Sequence, residues 1–260
     1  LHARFTAESA MSRLIAADFA NAREIATKGS KLGEAIGDPV TVLAAEMVGC
    51  LCAFYDYDID EATRLAERLE TLGDLYESAE AALYQPWFAA SLVRLELGQY
   101  EHCRRLNAVG LSRAVSSGHL WMAPAYDALD AYAAWEAGDF DDVVAHASAA
   151  LAWRLDDTFG AAIWCHAFIG RVAVARGQLD LAEQSAAAAR PLMIVGQAQF
   201  GWDHLALLDA ELAIAQGRRA EAFAALREMW ETYVAFDIES PRPRICVRLV
   251  PLLGEFAVGG

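Results

Sequence analysis

The chain has 260 residues and a formal charge of -15 with an isoelectric point near 4.7, and its only lysines are Lys28 and Lys31, so it lacks the clustered cations that a nucleic-acid surface needs. Alanine and leucine dominate, β-branched residues are thin and prolines number seven, a composition that favours helix over nearly every window. Five cysteines (Cys50, Cys52, Cys103, Cys165, Cys246) lie among apolar residues without CxxC spacing, which argues against a disulfide framework and for reduced core thiols in a cytoplasmic protein.

Taken in chain order, the predicted elements repeat. A helical segment from LHARFTAESA runs to a turn in AADFANA at Ala17, and the same event recurs at Tyr57 (YDYDIDEA), Gly98 (LGQYEHC), Gly138 (AGDFDDV), Gly177 (RGQLDLA) and Gly217 (QGRRAEA). Successive turns are 40, 41, 40, 39 and 40 residues apart. Each follows an apolar segment of helical length and precedes a more charged one, so the unit is a helix-turn-helix, with the turn residue ending the first helix and an Asp or Gln after it able to cap the second. A final helix is expected over Arg244 to Phe256. No apolar run is long enough to span a membrane: Arg171 interrupts the one after Asp157 and Asp203 the one after Arg190. The chain opens without Met or a signal pattern and stops at GEFAVGG, which suggests a piece of a longer protein.

Three columns share this register. Seven residues before each turn stand Ala10, Cys50, Ser91, Ala131, Gly170 and Ala210, all small, as close helix crossing requires. Two beyond it come Phe19, Ile59, Tyr100, Phe140 and Leu179, plugs for the gap between the helices, with Arg219 as the exception; five beyond it come Ala22, Ala62, Cys103, Val143, Ala182 and Ala222.

These residues resemble the tetratricopeptide repeat, a small residue in the first helix followed by G-x-Y/F-x-x-A across the turn, over about Phe5 to Phe236. The period near 40 departs from the family's 34, only Trp87 fills the family's Trp position, and a unit-ending proline is missing from most copies. Longer units of this kind are similar to the superhelical repeats of MalT-like, LuxR-type bacterial regulators. The resemblance implies one all-α domain over residues 1-260, a right-handed superhelical solenoid of about six helix pairs plus a final helix. It also implies a concave face lined by first-helix residues.

Chemistry-bearing motifs are scarce. No Walker A, HExxH or GxSxG pattern occurs, and the six histidines form no i, i+4 ligand pair, so no cofactor or metal is expected in this segment; ATP and DNA would belong to other domains of a regulator. Acids stand inside apolar first helices at Asp127, Asp130, Asp209 and Glu211, either paired with neighbouring helices or lining a polar pocket between repeats. The acids of DFDD and DIDEA read as solvated helix N-termini. On the implied concave face, the column six before the turns reads Leu51, Leu92, Tyr132, Arg171, Glu211; three before, Phe54, Leu95, Trp135, Val174, Ile214; thirteen before, Gln85, Trp164, His204. Tyr132, Trp135, Trp164, Arg171, His204 and Glu211 are therefore the candidate binding residues, aromatic anchors with few polar fixers, unless the rings only fill the core between repeats. The expected function is non-enzymatic: the effector- or protein-binding part of a LuxR-type regulator, or a free-standing adaptor. A homo-oligomer is compatible with either, and an α/α-toroid enzyme is disfavoured by the short turns.

Overall fold

The computed structural model describes residues 1-75, 78-153, 160-193 and 201-235, and among these the chain is helical, with no strand. The expected final helix over Arg244 to Phe256, and Cys246, lie outside the described residues. The six units are α1 (His2–Ile15) with α2 (Phe19–Ile36), α3 (Pro39–Tyr55) with α4 (Ile59–Leu75), and α6 (Pro86–Glu96) with α7 (Tyr100–Ser117). They continue as α8 (Ala123–Ala137) with α9 (Phe140–Ala152), α10 (Ala161–Ala175) with α11 (Leu179–Ala189), and α12 (Trp202–Ala215) with α13 (Arg219–Ala235). A short α5 (Ala79–Leu83) is inserted before α6, a feature absent from the periodic pattern.

All six turns share one hydrogen-bond scheme. The residue after the turn position donates its N–H to the carbonyl five residues back, as in Asp18 to Arg13, Gln99 to Arg94 and Arg218 to Ala213, and the turn residue donates to the carbonyl three back. This is a Schellman ending, which needs a left-handed residue at the turn. Glycine supplies it at four turns, while Ala17 (φ 58) and Tyr57 (φ 57) adopt the same backbone despite their Cβ atoms. The residue after the turn then opens the next helix with its own carbonyl, as Asp139 does for Val143. Asp58 and Asp139 also cap with their side chains, accepting from the N–H of Glu61 and Asp142 at 3.3 Å, whereas Gln99 and Gln178 make no side-chain cap.

First helices form the inner layer and pack on one another as well as on their own second helices, which form the outer layer. The small column explains the close inner crossing: Ala10, Cys50, Ser91, Ala131 and Ala210 are fully buried, and a Cβ on Gly170 would lie 2.5 Å from Leu208 Cδ2. The column five beyond the turns, from Ala22 to Ala222, is fully buried too. Two outer-helix glycines act as sockets for the next unit's aromatics, Gly73 under Trp87 and Gly110 under Tyr126. The four described cysteines are buried, and burial pushes the Cys52 thiol up to about 12.

The two ends of the stack also meet. Phe19, with Leu14, Ala17 and Tyr55, joins the apolar cluster of α12 and α13 built on Leu207, Ala210, Leu226, Met229 and Tyr233. The sixth unit therefore packs against the first two as well as against the fifth.

Candidate functional site

Helical spacing decides what reaches the inner face. Tyr132 and Trp135 lie one turn apart on α8; Trp164, Phe168 and Arg171 run at i, i+4, i+7 on α10; His204 and Glu211 stand at i, i+7 on α12. Adjacent inner helices bring all six expected residues into one cluster. The Tyr132 ring meets Trp164 at 5.7 Å, Phe168 at 5.3 Å and His204 at 4.8 Å between centroids, and Trp135 lies 5.4 Å from Phe140 with planes 21° apart.

Arg171 is the hub. Its side chain is only 2% exposed, and it donates from Nε to Glu211 Oε2 at 2.9 Å and from Nη2 to Glu211 Oε1 at 2.6 Å, a bidentate pair that clamps α10 to α12. Nη1 lies 3.1 Å from His204 Nδ1. Because guanidinium can only donate, that nitrogen accepts, which leaves the ring proton of neutral His204 on Nε2. The guanidinium carbon sits 4.3 Å from the Trp135 ring centroid, a cation-π contact. Tyr132 and Trp135 are half-buried, while Trp164 and His204 are buried. Nearer the N-terminus the same face is closed by buried Leu51, Phe54, Leu92 and Leu95, and buried Gln85 is occupied by the Tyr126 hydroxyl, which donates to Oε1 at 2.9 Å.

Sequence periodicity missed four members of this region. Phe168 lies between Trp164 and Arg171 on the same helical face and was readable from that spacing. Asp203, Tyr233 and Tyr55 were not. The Tyr233 hydroxyl donates to Asp203 Oδ2 at 2.7 Å, and the backbone N–H of His204 donates to Oδ1 at 2.9 Å. Burial outweighs these bonds and the Arg171 charge, so the Asp203 carboxyl titrates above its usual range; burial, then Asp203, pushes the Tyr233 phenol up, and burial does the same to Tyr55.

The other interior acids are paired. Trp153 Nε1 donates to Asp127 Oδ2 at 2.7 Å, Asn107 Nδ2 to Asp130 Oδ1 at 2.7 Å, and Arg190 Nη2 to Asp209 Oδ1 at 2.6 Å. Burial raises the carboxyls of Asp127 and Asp130. The DFDD acids bridge units: Asp141 pairs with Arg176 at 2.6 Å and Asp142 with Arg104 at 3.6 Å. Among the described residues no group of three or more His, Cys, Asp or Glu is placed to hold a metal, and no helix is long and apolar enough to cross a membrane.

No family model and no curated protein matches the sequence. Among solved structures, the chain is similar to PilW, described as a widely conserved type IV pilus biogenesis factor, with 16% identity over 90% of this chain and 94% of that one and a TM-score of 0.57. It is also similar to a Rap protein complexed with Competence and Sporulation Factor, with 12% identity over 97% of this chain and 75% of that one and a TM-score of 0.65. At these identities the likeness is one of fold, and that fold is a tetratricopeptide-type helical-repeat solenoid.

Proposed function

We propose that this is a non-enzymatic recognition domain that takes a peptide or protein segment on its inner face, around Tyr132 and Trp135. The observation that carries the reading is the pair of half-buried rings on α8, both backed by rings of α10, with Trp135 also held by the clamped Arg171 guanidinium. Rigid aromatic anchors with fixed polar neighbours bind at low entropic cost. The Rap neighbour, which carries a bound factor on a similar stack, supports this reading. The test is selection from a phage-displayed peptide library on the immobilised chain. Tyr132→Ala and Trp135→Ala, with helicity intact, should weaken the selected peptides by about 30-fold or more, the penalty of losing an aromatic hot spot. Unchanged binding in both variants places recognition elsewhere.

The finer assignment is the effector- or protein-sensing part of a LuxR-type, MalT-like regulator, and the forty-residue period supports it. Its nucleotide and DNA chemistry would reside in other domains. A free-standing adaptor is favoured by the PilW comparison, in which a stack of this size accounts for 94% of the matched chain. Reading the gene on both sides of Leu1 and Gly260 for a nucleotide-binding motif and a helix-turn-helix separates the two.

A further inference from the structure

Asp203 stands on the first turn of α12, and its two hydrogen bonds come from a neutral phenol and a backbone N–H. Among the described residues no cation forms an ion pair with it. Arg171 is near enough to influence its charge, but both Glu211 oxygens already engage that guanidinium. Asp203 as a residue is half-buried. Its surroundings are aromatic: Trp202 lies 4.7 Å from the Tyr233 ring, and Tyr55 packs against the same apolar cluster that holds Tyr233.

We infer that the inner face beside Asp203 is a subsite for a positively charged group, a guanidinium or primary ammonium, with Asp203, held by the buried Tyr233 hydroxyl, as counter-ion and the half-buried Trp202 and Tyr55 rings as its walls. A carboxylate has about four acceptor positions, and the protein supplies donors to two of them. Helix-terminal placement explains why an acid is tolerated at this residue but not why it faces a phenol without a counter-ion. Ring faces attract cations on their own account, and a chain of net charge -15 draws cations toward it. The inference rests on the inner-face reading above: the cation it calls for is a Lys or Arg side chain of the bound peptide.

Titration with Nα-acetyl-arginine amide, its neutral citrulline isostere and spermidine, followed by tryptophan fluorescence, tests the subsite without any peptide. The arginine probe should bind about 10- to 100-fold more tightly than the citrulline one, the worth of a charge-assisted contact, and Asp203→Asn should remove that preference. Far-UV circular dichroism verifies that the variant is folded, and Asp203→Glu should retain part of the preference. Equal binding of the arginine and citrulline probes, no binding of any cation, or an unchanged preference in Asp203→Asn each overturns the subsite. Selected peptides that bind Asp203→Asn as well as the unaltered chain also overturn it and leave the inner-face reading standing. Asp203-dependent binding of arginine amide or spermidine with no peptide ever selected supports the subsite and removes the peptide.

Discussion

The partners of the Arg171–Glu211 clamp differ in burial, with side chains 2% and 22% exposed, so the two ways of breaking it are not equivalent. Glu211→Ala strands a guanidinium that cannot reach water. Breaking a buried pair this way costs about 3-5 kcal/mol, of which the remaining Trp135 contact offsets a part, leaving about 3 kcal/mol. In a chain of this size that lowers Tm by about 6-12 °C. Arg171→Met instead frees a carboxylate that can hydrate where it stands and keeps an apolar stem on Trp135, for a loss of about 1 kcal/mol. Replacing both with apolar residues, Arg171→Met with Glu211→Leu, removes the stranded charge and should return stability to within about 1 kcal/mol of the starting protein. Urea unfolding at pH 7, followed by circular dichroism and tryptophan fluorescence, measures all three. If Arg171→Met costs as much as Glu211→Ala, the argument from unequal burial is wrong.

Gly110→Ala would place a Cβ 2.2 Å from Cζ of fully buried Tyr126, so it should destabilise by about 1-2 kcal/mol after the gain in helix propensity is subtracted. Gly49→Ala, whose nearest contact is Leu65 at 3.6 Å, should instead stabilise by up to about 1 kcal/mol, and urea midpoints of the pair separate socket from spacer. Asp130 faces Asn107 and Arg104 from α7, Asp127 from α8 and His146 from α9, and burial raises its native pKa. The folded state therefore holds its proton more tightly than the unfolded chain, and the stability this confers at acid pH is lost as pH rises through the native value. Asp130→Asn should accordingly gain stability over the unaltered chain at pH 8 and little at pH 4, in urea titrations at the two values. Phe19→Ala should cost about 3 kcal/mol and accelerate amide exchange in α12 and α13, nearly 200 residues away in sequence; exchange confined to α1 and α2 would contradict the end-to-end contact.

How much was legible depends on whether a feature is local. The turns were readable even where Ala17 and Tyr57 replace glycine, because period and flanking small residues locate them independently of the turn residue. The inner cluster was readable because α8, α10 and α12 keep the helical spacing between turn and face. Gly73 and Gly110 carry no such signal: a glycine inside a helix reads as weak helix, and only the facing aromatic reveals a socket. Tyr233 sits on a second helix, a layer expected to face outward, so its bond to Asp203 had no trace in the columns. α5 broke no pattern strongly enough to be seen, since an Ala-rich insertion before Pro86 looks like the end of the preceding helix.

The meeting of Phe19 with α12 and α13 changes what kind of polymer this is. An open stack behaves as a one-dimensional lattice, in which each unit answers only to its neighbours and the termini fray first. Here curvature brings the sixth unit back to the first two, and the lattice acquires a boundary condition. Copy number then becomes a geometric constant: inserting or deleting one forty-residue unit would rotate the last pair away from Phe19 and Tyr55, and with it the tyrosine that caps Asp203.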